Sequence, residues 1–375
     1  MKTAAIICEY NPFHNGHAYM LRTLREEGFD RIVCFMSGNF VQRGEPAIVD
    51  KYTRAKEALL SGADLVLEMP VIFATSSARD FASCGVRLAT ETGVCTHLCY
   101  GIEPESDPAS AGLPEISLEN EEIAQYLKEG YPYPEAVSRA AGLPKCGPNA
   151  ILAAEYRRAL SLFADGTILP YPVQRIGDRY DSDTVFGEGY ASARSIRNVI
   201  LSGHGSEIGV QVPAEELADI LSSSPVTADH LSLLLSDRLL REEDFTKYLD
   251  VSREISDRLR NRRNILMSFT DRITDTKTRQ YTYTRIQRAL LHITLGITED
   301  AAANLKRDGW FRYFRVLAYR RESGLLREIK RSASVPVISR TADLLEIAPS
   351  DFYYDQLYLS IHNGLSEYQR SPFIL

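Results

Sequence analysis

Short apolar runs alternate with amphipathic stretches through roughly the first two hundred residues, and that alternation leaves few folds open. Ala4–Cys8, Arg31–Met36, Asp64–Glu68 and His97–Tyr100 have the length and apolar content of strands. Between them, His17–Glu27, Lys51–Ser61 and Ser77–Glu91 carry apolar residues at helical spacing. Strands separated by helices predict an α/β fold with a parallel sheet covered on both faces. Ligands of such sheets bind beyond the carboxyl ends of the strands. Pro148–Phe163 and Ser192–Leu201 are further predicted helices, Ile168–Arg175 an extended segment and Pro104–Pro108 a surface loop.

The pattern changes at Gly203-His204-Gly205-Ser206. Beyond it lie Leu- and Arg-rich segments with helical spacing: Ala214–Leu221, Ala228–Leu235, Asp244–Ile265, Tyr283–Leu295 and Trp310–Arg320. Only Val335–Ile338 looks strand-like there. The expected division is an α/β domain over 1–203 and a mainly helical domain over 204–375, a sensible partition of 375 residues. A net charge of −7 disfavours nonspecific adhesion to nucleic acid by the whole surface but leaves room for a local basic face.

The 6 cysteines form no CxxC pair. Reduced, packed thiols are expected, and the spacing of Cys95, His97 and Cys99 fits no zinc pattern. The apolar start is too short for a signal peptide. No segment reaches the ~18 consecutive apolar residues of a membrane span, so a soluble, cytoplasmic protein is expected.

The strongest chemical signal is where the first strand ends: Glu9-Tyr10-Asn11-Pro12-Phe13-His14-Asn15-Gly16-His17, followed by a helix. Gly16 lets the backbone approach a ligand, and the helix start is expected to present free N–H groups and a positive dipole end to a polyphosphate. His14 and His17 add directional donors, and in cationic form they would stabilise charge on an α-phosphate and on departing pyrophosphate. No residue looks like a covalent nucleophile.

His14-Asn15-Gly16-His17 resembles the HxGH signature of the nucleotidyltransferase superfamily, which implies a Rossmann-like domain. The longer pattern resembles the bacterial tRNA(Met) cytidine acetate ligase family. It comprises Glu9–His17, Ser37-Gly38-Asn39-Phe40-Val41-Gln42-Arg43-Gly44-Glu45-Pro46, Asp64–Pro70, Tyr100-Gly101-Ile102-Glu103, Pro148-Asn149, Arg175-Ile176-Gly177 and Ser195-Ile196-Arg197. The resemblance implies that ATP activates acetate as acetyl-adenylate and that the acetyl group passes to N4 of the wobble cytidine of elongator tRNA(Met).

It also implies an ATP site lined by Ile7, Cys8, the turn residues Glu9 to His17 and Met20, with Gly101, Asn149 and Arg175 completing the pocket. His14 and His17 would be catalytic. Where the superfamily's second motif commonly has threonine, this chain has Arg194, so phosphate would fall to Ser192, Ser195 and the helix start. Mg²⁺ would ride on the phosphates, since no carboxylate cage is evident.

Gln42 and Arg43 fall in a polar, glycine-containing segment after the second strand, on the same rim as the histidines. They are candidates for orienting the acyl acceptor; the alternative is a surface loop with Arg43 paired to Glu45 or Asp50. The arginine-rich stretch beyond residue 250 interleaves basic residues with Tyr281 and Tyr283, a combination suited to RNA. Lys277, Arg279, Arg285 and Arg288 are the preferred tRNA contacts; the alternative is a solvated helix face. Two other functions share the motif, a small-molecule adenylyltransferase of cofactor synthesis and a non-catalytic nucleotide-sensing RNA-binding protein.

Overall fold

Five apolar strands pair in parallel to form the centre of the sheet. A computed structural model describes residues 1–102, 121–131, 133–140, 148–176, 189–222, 224–362 and 366–375. Glu103, the Pro104–Pro108 loop, Cys146 and Gly177 lie outside the described residues. In chain order the first strands are β1 (Thr3–Cys8), β2 (Arg31–Ser37), the short β3 (Phe40–Val41) and β4 (Glu45–Pro46), β5 (Leu65–Met69), β6 (His97–Ile102) and β7 (Leu169–Gln174). The parallel order is β5-β2-β1-β6-β7, with Ile6 in register with Cys34 on one side and Cys99 on the other. β3 and β4 pair with each other as a small antiparallel hairpin at the carboxyl edge of β2.

Helices cover both faces, as the near-continuous apolar strands require. On one face α1 (Asn15–Glu26) and α2 (Lys51–Leu60) bury Leu21, Leu24, Ala55 and Leu59 against Ile6, Ile32 and Cys34. On the other, the helix Ala78–Glu91 lies so close to β1 that a Cβ on Gly85 would collide with Ile7. No described helix is long and apolar enough to cross a membrane.

The sheet continues past the expected division at residue 203. β8 (Phe314–Tyr319) runs antiparallel beside β5, and β9 (Val337–Ile338) and β10 (Phe373–Ile374) pair in parallel with β8. The main apolar cluster also crosses that line, joining Val33 and Leu67 of the sheet to Leu290 and Ile293 of the helix Tyr283–Leu295.

The helix expected over Trp310–Arg320 is therefore corrected to a strand. Phe314–Ala318 are buried on both faces of the sheet, which erases the alternation that would have marked a strand. The long helix expected over Asp244–Ile265 is also shorter, Arg253–Arg262. It begins after a turn in which Asp250 takes φ 67°, and Ser252 caps it.

A buried ion cluster ties the C-terminal segments to α2. Lys51, fully buried as the first residue of α2, donates to Glu68 Oε1 and Oε2 at 2.9 and 2.8 Å and to Asp355 Oδ2. Arg315 of β8 pairs with Glu367 and donates to the Tyr52 hydroxyl at 2.8 Å. Burial works against the Lys51 ammonium, but Asp355, Glu367 and Glu68 outweigh it and hold its pKa above the ordinary lysine value. Removing one partner of a buried pair leaves the other uncompensated. Lys51→Met is thus expected to destabilise the protein by about 3–5 kcal/mol, seen as a lower urea midpoint. A loss below about 1 kcal/mol would show that the cluster contributes little.

Candidate active site

At the end of β1 the chain turns sharply, with Tyr10 in the left-handed region (φ 51°) and a cis bond between Asn11 and Pro12. The turn is pinned from several directions. Arg54, fully buried, donates to Glu9 O at 2.5 Å, Arg197 donates to Asn11 O at 2.7 Å, and Asn11 Oδ1 accepts from Ile48 N at 2.8 Å. The turn delivers His14 as the N-cap of α1. Its Nδ1 accepts from Gly16 N at 3.0 Å, which leaves the proton of the neutral ring on Nε2. A Cβ on Gly16 would sit 2.8 Å from His14 Cε1, so the glycine is required by the imidazole itself.

His17 follows one turn later. Its ring lies 3.7 Å from that of His14 and 4.8 Å from that of Tyr10, and its buried Nδ1 has no hydrogen-bond partner. Burial, and then the positive charges of Arg175 and Arg197, push His14 down to about 3. Burial, then His14 and Arg175, push His17 well below its ordinary value. Both shifts favour the neutral rings in the ligand-free site, in which form they offer directional N–H donors rather than charge.

A cavity of about 270 Å³ opens between this turn and the carboxyl ends of β6 and β7. Ile7, Cys8, Glu9, Tyr10, Asn11, His14, Gly16, His17 and Met20 line it, and so do Gly101, Asn149, Arg175, Gln42 and Arg43. Gly101 makes room for Arg175, whose Cγ would lie 3.2 Å from an added Cβ.

Four expected site residues lie off the lining. Pro12 shapes the turn, Phe13 is buried with its ring 4.8 Å from that of Tyr10, and Asn15 donates to Val210 O at 3.0 Å. Ser195 is buried with its hydroxyl on Ser192 O at 2.8 Å.

The free amides expected at the start of α1 are also already used. Asn15 N donates to Gln211 O, Gly16 N to the His14 ring, and His17 N and Ala18 N to His14 O. The start of α1 therefore leaves no free amide among these four for a phosphate, whereas the cavity offers basic side chains. Arg194, which displaces the usual threonine, and Arg197 both line the cavity beside Arg175. Tyr156 lines it too, two turns along the same helix as Asn149; that i, i+7 spacing was the available sequence signal.

Among the described residues no group of three or more His, Cys, Asp or Glu is placed to hold a metal ion. Burial pushes the Cys8 thiol well up, so it remains protonated.

Of the basic residues expected to meet RNA, Lys277, Arg279 and Arg285 are exposed. Arg285 stacks over Tyr281, 5.2 Å from the ring centroid. Arg288 is different: it is buried, and its Nε donates to Asp250 Oδ2 at 2.8 Å. Its backbone packs against Gly44, where an added Cβ would lie 2.5 Å from Arg288 N, so Arg288 is a structural strut.

A strand-to-turn-to-helix HxGH site at the carboxyl edge of a mainly parallel sheet defines an α/β nucleotidyltransferase, and a family model of the HIGH nucleotidyl transferases matches residues 1–371. The tRNA(Met) cytidine acetate ligase of Acetivibrio thermocellus is 32% identical, covering 92% of this chain and 90% of the relative. That of Clostridium kluyveri is 35% identical over 100% of this chain and 99% of its own. Thermotoga maritima TmcAL bound with alpha-thio ATP superposes with a TM-score of 0.87 at 26% identity, covering 100% of both chains. The chain belongs to the tRNA(Met) cytidine acetate ligase family.

The neutral state of His14 has a consequence for stability. Between its ordinary value of 6.5 and the folded value of about 3, the unfolded chain binds a proton that the folded chain does not. Stability is therefore expected to fall as pH drops through 6.5, by at most about 1.4 kcal/mol per pH unit from this residue. His14→Gln should flatten the denaturation midpoint between about pH 7 and pH 5 in ligand-free protein. An unchanged slope would mean that folded His14 protonates freely.

Proposed function

We propose that this enzyme uses ATP to activate acetate as acetyl-adenylate and transfers the acetyl group to N4 of the wobble cytidine of elongator tRNA(Met). The observation that carries the site assignment is the stacked, neutral His14–His17 pair opening into a cavity that Arg175, Arg194 and Arg197 also line. The family relatives carry the choice of reaction.

In this reading an acetate oxygen attacks the α-phosphorus and pyrophosphate leaves. The enzyme needs no covalent nucleophile for that step. It needs alignment and donors aimed at developing charge. His14 Nε2–H is oriented by the Gly16 amide behind it, and His17 donates or accepts at its unpaired nitrogen. Arginines supply permanent positive charge for the leaving phosphates. Mg²⁺ accompanies ATP as part of that substrate and is held mainly by the phosphates.

The acceptor approaches from the side of Gln42 and Arg43. The hairpin that carries them packs on the helix Tyr283–Leu295, where Gln287 donates to Glu45 at 3.1 Å. Exposed Lys277, Arg279 and Arg285 lie on and just before that helix, and they offer contacts to RNA phosphates.

Incubation with ATP, radiolabelled acetate and unmodified tRNA(Met) is expected to place label in the tRNA as N4-acetylcytidine. His17→Ala should reduce this by about 100-fold or more. ATP binding without acetate-dependent labelling would sink the assignment. Lys277→Ala combined with Arg285→Ala should weaken tRNA binding and lower the salt slope by ~1 per residue. An unchanged slope would move the RNA to another face.

A further inference from the structure

Resting on that proposed function, the transfer step raises a chemical demand that the histidines do not meet. An exocyclic amine that becomes an amide must lose a proton. His14, with a pKa of about 3, and His17, also pushed low, are too weakly basic to take it. Cys8 is a protonated thiol, and the arginines are cations.

Among the described residues that line the cavity, Glu9 is the single carboxylate. It is the first residue past β1, on the opposite side of the Tyr10 turn from the histidines in sequence. Its position is doubly fixed. Arg54 holds its carbonyl at 2.5 Å, and its Oε1 accepts the Gln42 amide at 2.7 Å. Gln42 is held in turn by its own side-chain bond to Ser76 O at 3.0 Å.

We propose that Glu9 is the general base of acetyl transfer and receives the cytidine N4 proton. The amine lone pair bonds to the acetyl carbonyl carbon, and the bond from that carbon to the adenylate oxygen breaks with its electrons going to AMP. One N4 proton moves to the Glu9 carboxylate and from there to water.

The surroundings suit the task. Burial raises the Glu9 pKa, while Arg43, the Gln42 amide and Arg197 oppose the rise and Glu45 adds to it. Tyr156 from the covering helix also faces this carboxylate. A carboxylate raised above its ordinary 4.5 is a stronger base, and Arg43, the Gln42 amide and Arg197 favour its anionic form. The pair Glu9 and Arg43 also matches the cytosine edge. Cytosine presents an amine donor beside an acceptor nitrogen, which a carboxylate and a guanidinium complement, whereas uracil presents the reverse order.

Glu9→Gln preserves an acceptor for the Gln42 amide but cannot take a proton, so it separates a base from a loop anchor. Two half-reactions are measured: acetate-dependent exchange of labelled pyrophosphate into ATP, and transfer of labelled acetate to tRNA. Transfer should fall about 100-fold or more and exceed any fall in exchange by at least tenfold. In the wild type, the transfer rate should rise with pH through an apparent pKa above 4.5; the limb should vanish in Glu9→Gln and persist in Glu9→Asp.

Equal losses in the two half-reactions, or an unaltered pH limb in Glu9→Gln, would overturn the role of Glu9. Wild-type protein that exchanged no pyrophosphate with acetate present would overturn the ligase reading itself, and the base with it.

Discussion

The site rests on a buried charge network that joins residues more than three hundred positions apart. Lys51 gathers Glu68 and Asp355 beneath the carboxyl edge of the sheet, and Asp355 also accepts from Asn39 at 3.0 Å. Asn39 in turn accepts the Lys51 amide at 2.9 Å. Three residues later along α2, Arg54 donates to the carbonyls of Val49, Ser37, Gly38 and Glu9. One helix therefore holds the loops that leave both β1 and β2. Such groups are costly to bury singly, and they tolerate burial because nearly every one has a partner. The C-terminal residues Asp355 and Glu367 complete the network, so the loops at the catalytic edge depend on chain that folds back from the far end.

Burial also sets the chemistry above that network. The histidine motif sits among arginines, and its rings are kept neutral before ligand arrives. ATP would bring negative charge to a cavity where Arg43, Arg175, Arg194 and Arg197 outnumber the Glu9 carboxylate. The donors are in place without reorganisation, which is the condition under which fixed dipoles lower a barrier most effectively. The same burial that strips His14 of its proton raises the basicity of Glu9. A single environment thus drives two kinds of group in opposite directions, and the carboxylate and the imidazoles take different parts in the two steps.

Most of the parallel sheet was legible in the chain because its strands are short, apolar and separated by helices of clear period. The HxGH turn was legible for the same reason: a strand, a proline and a glycine fix a local geometry that few other arrangements satisfy. What escaped were the long-range consequences. β8 has helical spacing, and only its burial between β5 and β10 makes it a strand. Ser195 looked like a phosphate donor by its motif, but its hydroxyl serves its own helix cap. The amides of α1 looked free until Gln211, nearly two hundred residues away, accepted one of them. Arg288 looked like an RNA contact because a charge run does not reveal which member meets Asp250. Apart from Ser195, whose hydroxyl is taken up within its own helix turn, each of these depends on a partner distant in sequence, which a local pattern does not encode.

The β3–β4 hairpin is where the helical half of the chain meets the chemistry. Glu45 accepts from Gln287 and also pairs with Arg197 at 3.5 Å, while Gly44 lies directly on Arg288. Gln42 and Arg43 occupy the tip of the same hairpin and line the cavity. A shift of the helix Tyr283–Leu295 would be transmitted through Gly44 with little slack, because a left-handed glycine (φ 85°) in van der Waals contact leaves no side chain to absorb it. The Gln42 amide would move with it, and that amide orients the Glu9 carboxylate. The helix that carries Arg285 and the proposed proton acceptor are thus joined by one packed path, and an RNA seated on that helix would bear directly on the geometry of transfer.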